Sequence, residues 1–252
     1  LIPLMKLRLT EPGVIIDIGG IDALRGVRRN GGGVAIGALT TYTTIGASGD
    51  LTGLDALREA AQAVGDVQVR NRGTIGGSLA HADPGADMPA AVLALDAEIA
   101  LQGPGGERTV PAEEFFQGFF TSDIGEGEVL TEIRLAQAAP RTGTAYVKFP
   151  NPASGYAIVG IAARLSLNED GSVADARLAV TGTGDHAVRA TAVEDALRGQ
   201  QPTAEAIAAA AAHAAEGIDP LSDIHASAEY RADLTRVFAR RALQTARDRA
   251  RA

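Results

Sequence analysis

The residues with the clearest chemical potential lie between Arg70 and Pro89, in the stretch RNRGTIGGSLAHADPGADMP. Three glycines, a threonine and a serine fall within Gly73 to Ser78. Gly76 and Gly77 lack a Cβ, so their backbone can take positive φ and approach a ligand closely. Their N–H groups are then expected to face outward as donors, beside the hydroxyls of Thr74 and Ser78. Successive main-chain amides form a concavity that suits a diphosphate. Asp83 and Asp87 would repel a phosphate but suit the hydroxyl groups of a ribityl or ribose chain. A glycine-rich surface loop with solvated acids has the same composition, so the residues alone leave both readings open.

Other chemistries are excluded or weak. The chain contains no cysteine, which removes disulfides, thiolate nucleophiles, zinc–thiolate sites and iron–sulfur clusters held by its own side chains. Redox chemistry would therefore need an organic cofactor, with any metal centre on another chain. His81, His186, His213 and His225 are scattered, and no pair has metal-ligand spacing. Gly103-Pro104-Gly105-Gly106 lacks the G-x-G-x-x-G spacing and reads as a hairpin turn. Thr181-Gly182-Thr183-Gly184 follows a strand, but no acid stands where a ribose partner belongs. Asp83 and Asp87 could be pictured as an acid/base pair, but nothing nearby in the sequence marks a substrate pocket, and no catalytic residue is assigned.

The 252 residues suit one large domain or two modest ones. The segment Leu54 to Val64 has apolar residues at helical spacing and predicts a helix; Ala90 to Leu95 predicts another beneath the glycine-rich stretch. Gly13 to Asp17, Val34 to Ile36 and Glu98 to Gln102 read as strands. Gly31-Gly32-Gly33 makes a turn before the second of these, and Glu107 to Val110 returns as a hairpin partner of the third. A composition shift near Pro140 marks a boundary, dividing the chain into 1–139 and 140–252. Beyond it, Ala145 to Phe149, Ala157 to Leu167 and Ala174 to Thr181 read as three strands, with Asn168 to Gly171 as a hairpin turn. Helices are expected around Thr191 to Leu197, Thr203 to Ala215 and Ala226 to the end. The arginines from Arg231 to Arg251 read as a solvated helix face or a docking surface. The formal charge of −8 argues against nucleic acid as a partner. No apolar run is long enough to cross a bilayer, so the expectation is a soluble, cytoplasmic chain, membrane-associated only through partners. It opens mid-pattern at Leu1-Ile2-Pro3-Leu4-Met5-Lys6, and residues upstream are expected.

The stretch Arg70 to Pro89, with IGALTTY (Ile36 to Tyr42), resembles the flavoprotein subunits of the xanthine dehydrogenase and molybdenum hydroxylase family, aerobic carbon monoxide dehydrogenase in particular. YVKF (Tyr146 to Phe149), NPASGYAIVG (Asn151 to Gly160) and SAEYR (Ser227 to Arg231) match the same pattern, so the resemblance covers nearly the whole chain. LIPLMKLRL fits the tail of the family's first flavin loop; the Ala-Gly-Gly segment that normally precedes it, with roughly half of the diphosphate cradle, is absent here. The resemblance implies an α+β fold, with a two-part, PCMH-like FAD-binding domain followed by a small three-stranded sheet plus helices. It implies FAD as cofactor, with Thr74, Ile75, Gly76, Gly77 and Ser78 at the diphosphate and nearby sugar. Asp87 would meet the hydroxyl-bearing chain, Leu130 the ring or adenine region, Lys148 the polar edge of the isoalloxazine, and Tyr156 its face. Read without the resemblance, Lys148 and Tyr156 would be a surface lysine and a strand aromatic. The implied partners are a small subunit with 2Fe–2S clusters and a large subunit with a molybdenum cofactor, assembled as a dimer of heterotrimers. The implied function is an oxidoreductase's flavin subunit, passing electrons from those clusters to an external acceptor. A stand-alone FAD-dependent oxidase is the alternative.

Overall fold

In the computed structural model, which describes residues 2–252, the chain forms two sheets flanked by helices. The first sheet contains β1 (Val27–Asn30), β2 (Gly33–Gly37), β3 (Glu98–Gly103), β4 (Gly106–Pro111) and β7 (Val129–Ala136), in the order β1-β2-β7-β3-β4. Every neighbouring pair is antiparallel. Before these strands lies the short α1 (Ile2–Lys6), and between β4 and β7 come α7 (Ala112–Phe115) and a separate two-stranded hairpin of β5 (Phe116–Gly118) and β6 (Thr121–Ser122). Tight hairpins close β1–β2 and β3–β4, where Gly31 and Gly106 take φ of +37° and +107°. Between β2 and β3 the chain builds α2 (Tyr42–Ala47), α3 (Asp55–Ala63), α4 (Val67–Arg72), α5 (Ile75–His81) and α6 (Asp87–Ala94). Ile36, Ile45, Leu57, Ile75, Leu79, Met88, Ile99 and Ile133 are fully buried between these helices and the sheet. Burying one such side chain contributes about 1.5–3 kcal/mol.

The second sheet has the order β11-β10-β9-β8 and is antiparallel throughout. Its strands are β8 (Thr142–Pro150), β9 (Ala157–Leu167), β10 (Val173–Thr181) and the two-residue β11 (Val188–Arg189). One face is covered by α8 (Thr191–Leu197), α9 (Ala204–Ala211) and the long α10 (Ala228–Arg251). The other receives α3 and α6 from the first half of the chain. Burial on both faces explains why β9 reads as an almost unbroken apolar run. Along β8, alternation sends Tyr146 and Lys148 toward α6 while Ala145, Val147 and Phe149 pack with the α10 cluster.

Several expectations are corrected. Gly13 to Asp17 forms no strand; Val14 and Ile16 are 78% and 79% exposed. An apolar run becomes a strand only where a ladder partner is available, and β1, with the polar sequence VRRN, takes the place beside β2. The C-terminal sheet has four strands, because β11 adds a short edge. The helix expected to reach Ala215 ends at Ala211 and gives way to turns. Arg70 to Pro89 is not a loop: α4, α5 and the start of α6 pass through it. Among the described residues, no helix is long and apolar enough to cross a membrane.

Candidate functional site

The site begins with two capped helices. Asp66 caps α4, its Oδ1 accepting from the Val69 N–H at 2.8 Å; Thr74 caps α5, its Oγ1 accepting from the Gly77 N–H at 3.2 Å. Threonine and aspartate caps are what stop the glycine-rich sequence from remaining a loop. The β2–α2 connection then pins α5 from behind. The Gly76 N–H donates to Ala38 O at 2.8 Å and the Ile75 N–H to Thr40 O at 3.1 Å, while Thr41 and Thr74 form an isolated antiparallel bridge.

This arrangement changes the role of the glycines. Neither Gly76 nor Gly77 has positive φ. Gly76 is required by packing, since a Cβ there would sit 2.5 Å from Ala38 Cβ and 2.8 Å from its backbone oxygen. Its amide points inward and is already bonded, contrary to the outward orientation expected from the sequence. Gly77 is on the open side, where the nearest obstacle to a Cβ is Thr74 Oγ1 at 3.0 Å.

Thr74, Gly77, Ser78 and His81 recur at helical spacing and share one face of α5. That face lines a cavity of about 380 Å³, whose other walls include Tyr42, Val69, Arg72 and Gly73 on one side and Asp83, Asp87, Ser154, Gly155 and Tyr156 on the other. Tyr42 tucks against Gly73, where any Cβ would lie 2.5 Å from its Cε2. Burial pushes the Tyr42 phenol above its usual range, as does the neighbouring Asp87 charge, although a hydrogen bond with Ser78 opposes them.

The far wall is held by the second sheet. Thr181 Oγ1 donates to Pro84 O at 2.8 Å and Ala86 O at 2.9 Å; the Gly182 N–H reaches Pro84 O and the Ala157 N–H reaches Gly85 O. These bonds fix the segment that delivers Asp87. The Asp87 side chain is 5% exposed, and it accepts from Tyr146 Oη at 2.6 Å and from Lys148 Nζ at 2.9 Å. Lys148 Nζ also donates to Ala63 O at 2.7 Å. Burial pushes the Asp87 carboxyl above its ordinary value, against the opposing pull of Lys148 and Tyr146. The Tyr146 phenol, fully enclosed and facing Asp87, is pushed well above its own. Tyr156, nearly half exposed, is raised by partial burial and by Asp83 and Asp87.

Of the residues singled out from the sequence, Thr74, Gly77, Ser78, Asp87 and Tyr156 meet in one cavity. Ile75 and Gly76 are buried behind it, and Leu130 is buried on β7 in the first core. Lys148 is buried rather than on the surface, and it reaches the cavity only through Asp87. Tyr42 and Arg72 line the site without having been singled out, although both fall in the quoted motifs, and Gly73, counted among the glycines of the stretch, was assigned no contact. The walls thus offer hydroxyl groups, a glycine face without a side chain, an arginine, two carboxylates and two tyrosine rings. Such a set fits a ligand with an anionic group, a hydroxyl-bearing chain and a planar ring.

Comparison with known proteins bears on the same regions. Residues 1–137 match the family model described as the FAD binding domain in molybdopterin dehydrogenase, and residues 144–246 match the CO dehydrogenase flavoprotein C-terminal domain. The 6-hydroxypseudooxynicotine dehydrogenase complex subunit alpha of Paenarthrobacter nicotinovorans is 39% identical over 252 residues, covering 100% of this chain and 85% of that protein. The carbon monoxide dehydrogenase medium chain of Hydrogenophaga pseudoflava is 39% identical over 247 residues, covering 98% and 86%. A solved carbon monoxide dehydrogenase from Hydrogenophaga pseudoflava superposes with a TM-score of 0.94 at 41% identity, covering 98% of this chain and 86% of its counterpart. Quinoline 2-oxidoreductase from Pseudomonas putida 86 superposes with a TM-score of 0.90 at 31% identity, covering 99% and 87%.

Proposed function

The chain belongs to the family of FAD-binding flavoprotein subunits of molybdopterin dehydrogenases, and from that premise we propose that it holds FAD in the cavity along α5 as one subunit of a larger oxidoreductase complex. When bound, FAD would supply the redox chemistry, taking electrons from 2Fe–2S clusters on a small partner subunit and yielding them to an external acceptor. A molybdenum-cofactor subunit would complete the complex, with two such heterotrimers pairing. In this reading 1–139 forms the FAD-binding domain and 140–252 the C-terminal domain, which closes the cavity through β8, β9 and the turn bearing Tyr156.

The observation that carries the reading is the convergence of Thr74, Gly77, Ser78, Asp87 and Tyr156 on one cavity between α5 and the turn that precedes β9. Thr74, Gly77 and Ser78 would bind the diphosphate and adjoining sugar. Asp87, already ligated by Tyr146 and Lys148, keeps unused acceptor positions for hydroxyl groups. Tyr156 would pack on the ring face. Lys148 would act on the ring's polar edge only through Asp87, because its ammonium has two acceptors of its own. Ile75, Gly76 and Leu130 would support the site from behind without touching its open face. Two relatives of equal identity bear names with different substrates, which supports a reading in which substrate choice lies elsewhere in the complex.

Purification of the chain with its partners, followed by release and chromatography of any flavin, tests the proposal. FAD in stoichiometric amount is expected, and Gly77→Val is expected to empty the site. Unchanged FAD content in that variant would overturn the placement. Rapid reduction of the isolated chain by a small organic substrate would instead favour a stand-alone oxidase.

A further inference from the structure

The motif RNRGT carries two arginines, Arg70 and Arg72, two residues apart at the end of α4. Two helical positions differ by about 200° around the axis, so the pair must face different ways. Arg70 turns inward: its Nη1 donates to Val64 O at 2.9 Å and Gly65 O at 3.0 Å, closing the turn before the helix. Arg72 is exposed, lines the α5 cavity and pairs with no carboxylate among the described residues.

Its setting is asymmetric. Arg72 is the one arginine or lysine lining the cavity among the described residues. It adjoins Gly73 and Thr74, at the start of the α5 face, whereas Asp83 and Asp87 lie beyond the other end of that helix. The main chain at this end has little left to offer an anion. The Ile75 and Gly76 amides are bonded to Thr40 O and Ala38 O, and the Gly77 amide to Thr74 Oγ1. Along α5 itself, the groups left to meet a diphosphate are the Thr74 and Ser78 hydroxyls and the Arg72 guanidinium, the one positive charge among them.

We propose that Arg72 is the charge partner of the cofactor's phosphate groups, and so the residue by which this cavity distinguishes a phosphorylated flavin dinucleotide from flavin without phosphate. The inference rests on the FAD reading above and deepens it. The planar guanidinium can donate two parallel hydrogen bonds to phosphate oxygens, which an ammonium cannot match in geometry. With the anion held at Arg72, the hydroxyl-bearing chain is directed toward Asp87 and the ring toward Tyr156.

The test uses the full chain freed of flavin, with FAD and riboflavin as probes and binding followed by quenching of flavin fluorescence. Arg72→Gln is expected to weaken FAD by about ten- to a hundredfold, the range of a charge-assisted hydrogen bond, and to leave riboflavin unchanged. Arg72→Lys is expected to recover part of the loss. Added salt should weaken FAD binding more in the unaltered chain than in Arg72→Gln. The melting temperature of the flavin-free chain should not move, because Arg72 is exposed and its side chain forms no hydrogen bond or ion pair among the described residues. Equal losses for FAD and riboflavin, or no loss for FAD, would overturn the assignment of Arg72 while leaving the flavin site standing. Failure of the unaltered chain to bind either probe would overturn both.

Discussion

The two ends of α6 both join the halves of the molecule by ion pairs, and they do so in different surroundings. At its first residue, Asp87 meets Lys148 and Tyr146 from β8, with the two charged side chains 5% and 7% exposed. Just past its last residue, Asp96 gathers Arg164, Arg177 and Arg189 from the second sheet at 2.6, 3.1 and 3.8 Å, while its own side chain remains 39% exposed. Water screens the outer cluster, so its members hold the halves together weakly. The inner pair is cut off from solvent, and each member is tolerated only because the other is present. The cavity lies at the inner end. The buried charge at that end is thus placed where a ligand can use it, while the outer cluster adds only a weaker, screened link between the halves.

The sharpest way to break this contrast is Lys148→Met, which leaves Asp87 buried without its cation. A loss of about 3–5 kcal/mol in unfolding free energy is expected in urea titrations. Adding Asp87→Asn should restore much of it, since removing both charges also removes the unpaired one. A loss below 1 kcal/mol for Lys148→Met alone would place the inner pair in the same class as the outer cluster. Next in size is Gly76→Ala, whose new methyl would press on Ala38 and should cost about 1–3 kcal/mol. The same change at Gly77 should cost less, because its Cβ would face the cavity and press only on Thr74 Oγ1, at 3.0 Å.

The third effect appears in pH. Asp87 has a folded-state pKa above the ordinary value of 3.8. Its contribution to stability is therefore complete below that value and is lost as pH rises through the higher folded value. Relative to Asp87→Asn, the unaltered chain should lose stability with rising pH over this range, by at most about 1.4 kcal/mol per pH unit. Denaturation at a series of pH values checks the sign; a difference that grows in favour of the unaltered chain would reverse the assignment. Smallest is Asp96→Ala, for which a loss of no more than about 1 kcal/mol is expected, diminishing further in high salt. Flavin content should not change in that variant.

Much of this contrast was absent from the linear pattern. Ser/Thr/Asp caps were present at Asp66 and Thr74, but the density of glycine between them outweighed the caps and suggested a loop. Lys148 reads as a surface residue because its carboxylate partner is 61 positions away. By contrast, β8, β9, β10 and α3 were legible, since each buries residues at a spacing that its own geometry imposes.

What the sequence determined unaided was local. It set the periodicity of the long strands and helices, the lack of thiolate chemistry, and the concentration of small and hydroxyl residues at 73–78. It also placed Thr74, Gly77, Ser78, Asp87 and Tyr156 in motifs whose meeting in one cavity the fold then supplied. Only the tertiary structure decided which glycine faces the ligand, which arginine of RNRGT is free, and why Lys148 can be buried. Each of those outcomes depends on a partner far away in the chain: Ala38 behind Gly76, the Val64–Gly65 turn beneath Arg70, Asp87 against Lys148. Hydrogen bonds and charge pairs act over a few ångströms of space, and sequence order does not record which groups folding brings within that range.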